Sequence, residues 1–342
     1  MQDFNGRLAV VTGAGSGMGR ELAVQLATAG CHLGLCDIAL APLEDTRAAC
    51  LAAATAAGPS GPSQPVTLTV SIHRCDVSSE AEMLAFRDAV IDAHNATCVH
   101  LLFNNAGIGG GGSFLLDDRS EWERTFGVCW YGVYFGARAF MPLLVAAPEA
   151  HIVNTSSVNG FWATLGPTTA HTAYSAAKFA VKGFTEALIN DCRLHAPHVK
   201  VSLVMPGHIG TSIGLNTNRV LRGHGALEMT AEEVAVARAR MAARGAPVDN
   251  LPDDHIRAAV HQAGLDFRDK APLTAAQAAT IILDGVRAER WRILVGEDAK
   301  RLDAMVRAEP EAAYEVDFTE RLRDAGAFNN LIQSTRETSQ SD

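Results

Sequence analysis

The chain has 342 residues, 48% of them hydrophobic and 20% charged, and its formal net charge at pH 7 is −9. This length and composition fit one large α/β domain with an ample core, and the negative charge argues against nucleic-acid binding, which requires a surplus of cations. The seven cysteines include no Cys-x-x-Cys pair and the 12 histidines show no ligand spacing, so we expect reduced thiols and no metal site.

The N-terminal stretch carries no export signal of the usual kind. MQDFNGRLAVVTG lacks a charged region followed by an apolar stretch. No apolar run in the sequence approaches the roughly 20 residues that span a bilayer. We therefore expect a cytoplasmic protein without a membrane segment.

The first predicted elements surround a glycine-rich turn. Residues 7–12 form a short apolar run that suits a buried parallel strand, and residues 20–29 have a helical pattern. Between them lies TGAGSGMG, residues 12–19. Glycines permit a tight turn and let backbone N–H groups approach a diphosphate at the helix N-terminus. The flanking strand and helix favour a dinucleotide site over a simple turn.

Asp37 ends the second predicted strand, residues 32–36, about 20 residues after the glycines. A carboxylate at this place accepts hydrogen bonds from the adenosine ribose and repels a 2′-phosphate. No arginine or lysine adjoins it. The sequence therefore predicts NAD rather than NADP, the alternative being a surface aspartate that merely ends a strand.

Strands and helices continue to alternate along the chain. Further strands are predicted at residues 66–75, 99–103, 150–157 and 199–205, and helices at residues 41–57, 79–93 and 122–145. This rhythm predicts a Rossmann-type, doubly wound parallel sheet of about seven strands flanked by helices, with ligands at the carboxyl ends of the strands. Residues 58–65 are rich in glycine and proline and are predicted to form a flexible loop.

Tyr174 and Lys178 lie in a predicted helix over residues 172–188. Their spacing of four places them on one helix face, one turn apart. An ammonium near a phenol favours the phenolate and lowers its pKa from about 10 towards the working range. Ser157 is a candidate to hydrogen bond the oxygen of a substrate alcohol or ketone.

Beyond the core, residues 5–212, the sequence predicts two additions to a single domain. Residues 213–270 are polar and helical with glycine and proline interruptions, and we interpret them as a lid over the substrate pocket; a solvated insertion used for subunit contacts is the alternative. Residues 272–308 are predicted to form a helix, a seventh strand and a helix, and residues 334–342 a disordered tail.

Taken together, four motifs resemble the short-chain dehydrogenase/reductase family, closely over residues 6–211 and more loosely to about 296. They are Thr12-Gly13-x-x-x-Gly17-x-Gly19, Asn104-Asn105-Ala106-Gly107, Ser157 with Tyr174-x-x-x-Lys178, and Pro206-Gly207 with Thr211. The resemblance implies an NAD-dependent alcohol dehydrogenase or ketone reductase that forms a homodimer or homotetramer.

The resemblance also implies roles for individual residues. Tyr174 would be the general acid/base, Ser157 would orient the substrate oxygen, and Lys178 would lower the tyrosine pKa and hold the nicotinamide ribose. The residues implied to contact the cofactor are Gly13, Ser16, Gly17, Met18 and Gly19 at the diphosphate, Asp37 and Ile38 at the adenosine ribose, Asp76 and Val77 at the adenine, Asn105, Ala106 and Gly107 along the ribose, and Pro206, Gly207, Ile209 and Thr211 at the nicotinamide.

Two features depart from the family pattern. Cys129 stands where the family carries an asparagine that helps hold a proton-relaying water, and a thiol is a weak hydrogen-bonding substitute. We expect a relay rebuilt through backbone carbonyls and water, with reduced activity or a shift to higher pH; a redox-sensing thiol is the alternative. Ser157 and Tyr174 are 17 positions apart, several more than the resemblance implies.

The extra residues between Ser157 and Tyr174 are predicted to form one wall of an apolar substrate pocket. Its residues would be Phe161, Trp162, Leu165, His171, Met205 and His208. We therefore expect a bulky, lipophilic secondary alcohol or ketone, unless Phe161 and Trp162 face the core or a neighbouring subunit. Two other functions remain open: a polyol or sugar dehydrogenase, and a nucleotide-binding sensor or scaffold with weakened catalysis.

Overall fold

A seven-stranded parallel sheet forms the centre of the computed structural model, which describes residues 1–57, 68–166, 169–243 and 245–328. The strand order is β3-β2-β1-β4-β5-β6-β9. The strands are β1 Leu8–Thr12, β2 His32–Asp37, β3 Val70–Arg74, β4 Leu101–Asn104, β5 Ala150–Thr155, β6 Val199–Pro206, β7 Ile209–Gly210, β8 Leu273–Thr274 and β9 Arg292–Val295. The predicted doubly wound sheet is confirmed.

Helices cover both faces of this sheet. They are α1 Gly17–Thr28, α2 Leu40–Ala57, α3 Glu80–His94, α4 Arg119–Phe126, α5 Gly132–Ala146, α6 Thr172–His195, α7 Ile213–Arg222, α8 Ala231–Ala242, α9 Asp253–Asp269, α10 Ala275–Arg287, α11 Glu297–Ala308 and α12 Val316–Asp324. Strand β1 shows why two layers form. Its alternate residues point to opposite faces, so that Ala9 and Val11 pack with α1 and α10, while Leu8 and Val10 pack with α3 and α5.

The helix predicted over residues 122–145 is divided in the structure. A π-helical turn, Gly127–Tyr131, joins α4 to α5, and such turns are frequent at functional sites. The combined stretch Arg119–Ala146 is long and apolar enough to cross a membrane, but half of its most apolar window is buried inside the molecule. Burial of this kind is what a core helix shows.

The insertion over residues 213–270 contains α7, α8 and α9 with a small core of its own. Met229, Val234 and Ile256 are buried in that core. Arg240 of α8 pairs with the buried carboxylate of Asp117 at 2.5 Å, which ties the insertion to the loop after β4. The two-residue strands β7 and β8 pair in parallel at its two ends. The predicted loop at 58–65 and the predicted tail at 334–342 lie outside the described residues.

Candidate active site

The glycine turn after β1 packs so closely that side chains are excluded. Gly13 has a φ of +66°, and a Cβ placed on it would lie 2.7 Å from Cα of Ala106. A Cβ on Gly19 would lie 2.2 Å from the carbonyl oxygen of Gly13. Only glycine fits at such distances. The turn therefore lies directly against the loop after β4, and the two loops form the walls of a groove.

This groove has a volume of about 330 Å³ and runs along the carboxyl ends of the strands. At one end, Asp37 accepts hydrogen bonds from the N–H of Gly15 at 3.0 Å and of Ala39 at 3.2 Å. Twelve of the residues predicted to contact the cofactor line the groove: Gly13, Ser16, Gly17, Met18, Asp37, Ile38, Asp76, Val77, Asn105, Ala106, Gly107 and Thr211.

Besides Tyr174 and Lys178, four predicted contacts do not line the groove, for physical reasons that the structure makes plain. Gly19 lies beneath the turn, and Ile209 and Pro206 are buried. Gly207 provides room for a carboxylate instead: a Cβ on it would lie 2.4 Å from Oδ1 of Asp298. Oδ2 of Asp298 accepts a hydrogen bond from the N–H of His208 at 2.7 Å. These residues pack beneath the loops that form the groove and do not face it.

Local patterns in the sequence missed three polar residues of the groove. Arg124 of α4 forms an ion pair with Asp76 at 2.7 Å, and Asn216 and Arg219 come from α7. Helix α7 follows the glycine turn by about two hundred residues, so no local periodicity brings them together. Only the tertiary fold does.

Beyond the groove, the structure brings Ser157, Tyr174 and Lys178 together. Ser157 follows β5, and its hydroxyl accepts a hydrogen bond from the N–H of Asn159 at 3.1 Å and also interacts with the phenol of Tyr174. Nζ of Lys178 donates to the carbonyl oxygen of Thr155 at 2.9 Å and lies 5.4 Å from the centre of the Tyr174 ring. Helix α6 thus places both side chains against the end of β5.

The pKa of Tyr174 differs in direction from the sequence-based expectation. Burial raises the pKa of Tyr174 above its usual value, and the nearby Cys129 adds to the rise, while the Ser157 hydroxyl opposes it. Burial also lowers the pKa of Lys178. The loss of water, which stabilises charged forms, outweighs the effect expected of the lysine. The protein alone therefore holds Tyr174 as a neutral phenol.

Cys129 lies in the π-helical turn and is fully buried. Its thiol donates to the carbonyl oxygen of Ile108 at 3.2 Å. A Cβ placed on Gly107 would lie 3.8 Å from Sγ of Cys129 and 3.5 Å from Nζ of Lys178. The thiol and the ammonium therefore face the same side of Gly107, where the family pattern places its asparagine.

His171 lies against the catalytic candidate Tyr174. The two ring centres are 4.7 Å apart. Burial lowers the pKa of His171 to about 4, so the imidazole is neutral at pH 7. Leu165 is half-buried in the loop before α6. Of the residues predicted to form the pocket, His171 is the one that the structure places in contact with the tyrosine.

Two predicted pocket residues, Trp162 and Met205, lie in the core instead, and Phe161 packs against it. The Trp162 indole is buried among residues of α11 and α12, and its Nε1 donates to the carbonyl oxygen of Ala313 at 2.7 Å. Phe161 packs against the same C-terminal cluster. Met205 is fully buried beside Val133 and Val181. The pocket assignment of Trp162 and Met205 is therefore wrong, because the C-terminal helices and α6 cover them, whereas Phe161 is only half-buried.

His208 also points away from the catalytic cluster. Its Nε2 lies 2.7 Å from the carbonyl oxygen of Phe267 in α9. The centre of the imidazole ring lies 4.4 Å from the centre of the Phe267 ring. The side chain is 2% exposed. The pocket assignment of His208 is wrong as well: the imidazole fixes the insertion to the turn after β6.

Comparison with known proteins agrees with this architecture. The family model described as short chain dehydrogenase matches residues 7–220, more than half of the chain. The chain belongs to the short-chain dehydrogenase/reductase family. It is therefore an oxidoreductase of a family that binds NAD(P), and the predicted family resemblance is confirmed.

Three known proteins resemble this chain over more than half of its length. The putative oxidoreductase SadH of Mycobacterium tuberculosis is 34% identical over 310 residues, covering 90% of this chain and 92% of the relative. A short-chain dehydrogenase/reductase from Burkholderia phymatum, solved in complex with NAD, is 32% identical with a TM-score of 0.68 and covers 91% of this chain and 95% of that one. Levodione reductase of Leifsonia aquatica is 30% identical over 222 residues, covering 64% of this chain and 75% of the relative.

Proposed function

We propose that this protein transfers a hydride between NAD(H) and a secondary alcohol or ketone, with Tyr174 as general acid/base. One observation carries the proposal. A groove with Asp37 at one end leads along the carboxyl ends of the strands towards Ser157, Tyr174 and Lys178. This is the edge at which parallel α/β sheets bind ligands.

The residues of the groove suit a dinucleotide. Gly13 and Gly17, which line the groove, leave the backbone bare where a diphosphate approaches a helix N-terminus. Oδ1 of Asn105 is buried and accepts no hydrogen bond from any residue that the structure describes, so it is free for a hydroxyl of the ligand. The SDR structure from Burkholderia phymatum, which contains NAD, supports the same proposal by similarity.

Asp37 supports NAD rather than NADP. Its two oxygens are held by the N–H groups of Gly15 and Ala39 at the end of β2. A carboxylate fixed there repels a 2′-phosphate. The nearby cation Arg124 is paired with Asp76 and also donates to Ser78 at 2.6 Å, and is therefore not free to compensate.

Tyr174 and the side chains around it have different roles in the proton transfer. When bound, the nicotinamide supplies or accepts the hydride. In ketone reduction Tyr174 gives its phenolic proton to the substrate oxygen, and in alcohol oxidation it takes that proton back. Ser157 hydrogen bonds the same oxygen. The Lys178 ammonium near the ring stabilises the phenolate, and burial keeps the phenol protonated at neutral pH, which is the form that donates the proton.

We further propose a bulky, lipophilic substrate. The segment between Ser157 and Tyr174 contains no Asp, Glu, Lys or Arg, and several hydroxyls would need polar partners there, which disfavours a polyol or sugar. His171 is the polar side chain next to Tyr174. The alternative of a weakened sensor rests on Cys129, whose thiol is already bonded to Ile108.

Self-association and location complete the proposal. On the outer side of the α4–α5 stretch and of α6, Tyr131 is 43% and Phe179 41% exposed. Large apolar side chains of this exposure suit a subunit interface. We therefore propose a homodimer or homotetramer, and we separately propose that it works in the cytoplasm.

The proposal is tested by NADH and NADPH oxidation with ketones that range from acetone to bulky aryl and cyclic compounds. We expect turnover with NADH that increases with the size of the ketone and is much weaker with NADPH. Equal turnover with both cofactors would contradict the role of Asp37. Binding of NADH without turnover of any carbonyl would favour the sensor.

A further inference from the structure

Helix α7 crosses the groove and is fastened to both of its walls. On one wall, Nδ2 of Asn216 donates to Oγ of Ser16 in the glycine turn at 3.0 Å. On the other, the N–H of Gly109 donates to Oγ1 of Thr217 at 2.8 Å. The first helix of the insertion, predicted to cover the substrate, therefore covers the cofactor groove.

Arg219 brings a positive charge to this crossing. It follows Asn216 by three positions, which places the two next to each other on one face of α7, and both line the groove. Among the residues that the structure describes, none forms an ion pair or a side-chain hydrogen bond with its guanidinium. Arg124, the other cation of the groove wall, is held by Asp76. Arg219 is thus the unpaired cation of the groove within the described residues.

The opposite wall at this point is the start of α1. The first N–H groups of a helix have no partner within it, and the first turn of α1 contains no acidic residue. Ser16, at the N-cap, makes no capping bond with its side chain and holds Asn216 instead. A doubly negative diphosphate between α1 and α7 would meet donors from both sides.

We propose that Arg219 binds the diphosphate of the dinucleotide, with α7 acting as a strap that Asn216 and Thr217 hold in place. The inference rests on the proposed nucleotide-binding function and adds to it a residue from the insertion. A guanidinium is suited to this task because its planar donors match phosphate oxygens.

The test compares binding of NADH, NADPH, ADP and adenosine to the full chain carrying Arg219→Gln, Arg219→Lys or Arg222→Gln, by calorimetry or nucleotide fluorescence. Arg222 is the matched control, because it lies on the same helix, does not line the groove and faces Glu233 at 3.7 Å. We expect Arg219→Gln to weaken the binding of NADH and ADP roughly three- to tenfold and to leave the affinity for adenosine unchanged. Arg219→Lys should retain most of the affinity, Arg222→Gln all of it, and the loss should shrink at high salt.

Three results would overturn the inference. Unchanged affinity of Arg219→Gln for NADH and ADP would remove Arg219 from the site. An equal loss for adenosine would indicate a structural role. A loss confined to NADPH would place the guanidinium at the 2′-phosphate. Absence of all nucleotide binding in the unmutated protein is a different result, since it would overturn the proposed function itself.

Discussion

At the scale of single residues, the buried surroundings of Tyr174 govern the chemistry. Burial raises the pKa of Tyr174 and lowers that of Lys178, because a buried site disfavours the charged form of each group. Cys129 lies within electrostatic range of both groups and has its thiol directed to the Ile108 carbonyl. The proton supply to this pair therefore has no side-chain amide where the family pattern has one.

Replacing Cys129 by asparagine tests this point. An amide offers stronger donors and an acceptor that can hold a relaying water. We expect Cys129→Asn to raise kcat and to move the pH–rate profile to lower pH. Cys98→Ser, at a half-buried thiol outside the site, is the control. A profile that Cys129→Asn leaves unchanged would contradict a rebuilt relay.

At the scale of elements, the carboxyl end of β6 depends on a carboxylate from α11. Asp298 accepts from the N–H of His208 at 2.7 Å and occupies the space that a side chain on Gly207 would need. This contact fixes the turn between β6 and β7, and Thr211, directly after β7, lines the groove. Stability and cofactor geometry are therefore coupled at this turn.

Two glycine-to-alanine variants separate close packing from helix propensity. Gly207→Ala should lower the free energy of unfolding by about 1–3 kcal/mol, because Asp298 must move. Gly183→Ala, in α6 with nothing within 4 Å of the added Cβ, should raise it by about 0.5–1 kcal/mol. Denaturant unfolding measures both. An unchanged free energy of unfolding in Gly207→Ala would show that stability does not depend on the Asp298 contact.

Local patterns suffice to predict the elements but not where distant ones meet. The strand, glycine turn and helix around residues 7–28 and the Tyr174 helix follow from composition and periodicity, and the structure confirms them. Trp162 is a residue type that often lines pockets. Its indole N–H nevertheless donates to the carbonyl oxygen of Ala313, 151 positions further along the chain. Such long-range packing leaves no periodic trace near Trp162.

At the scale of the whole molecule, a buried histidine links stability to pH. His151 of β5 is fully buried, and its Nε2 lies 2.7 Å from the hydroxyl of Ser202. Burial lowers its pKa to about 3, below the value of about 6.5 in an unfolded chain. The unfolded state therefore binds the proton first, and stability is lost as pH falls from about 6.5 towards about 3.

The free energy of unfolding at pH 7 and pH 5 reports this linkage. When the pH falls from 7 to 5, the low pKa of His151 should lower the free energy of unfolding by about 2 kcal/mol. We expect His151→Gln to be less sensitive to this change in pH by that amount, although less stable at pH 7. Exposed His195→Gln should behave as the unmutated protein. If the free energy of unfolding of His151→Gln changed with pH as much as that of the unmutated protein, other titratable groups would account for the pH dependence.

The most direct test of the proposed function is the turnover of Tyr174→Phe with NADH and the best ketone, measured together with its affinity for NADH. Removing the hydroxyl removes the proton donor but keeps the ring that packs on His171. We predict a fall in kcat of roughly a hundredfold or more, with NADH affinity preserved. Turnover within about tenfold of the unmutated protein would contradict Tyr174 as the general acid/base.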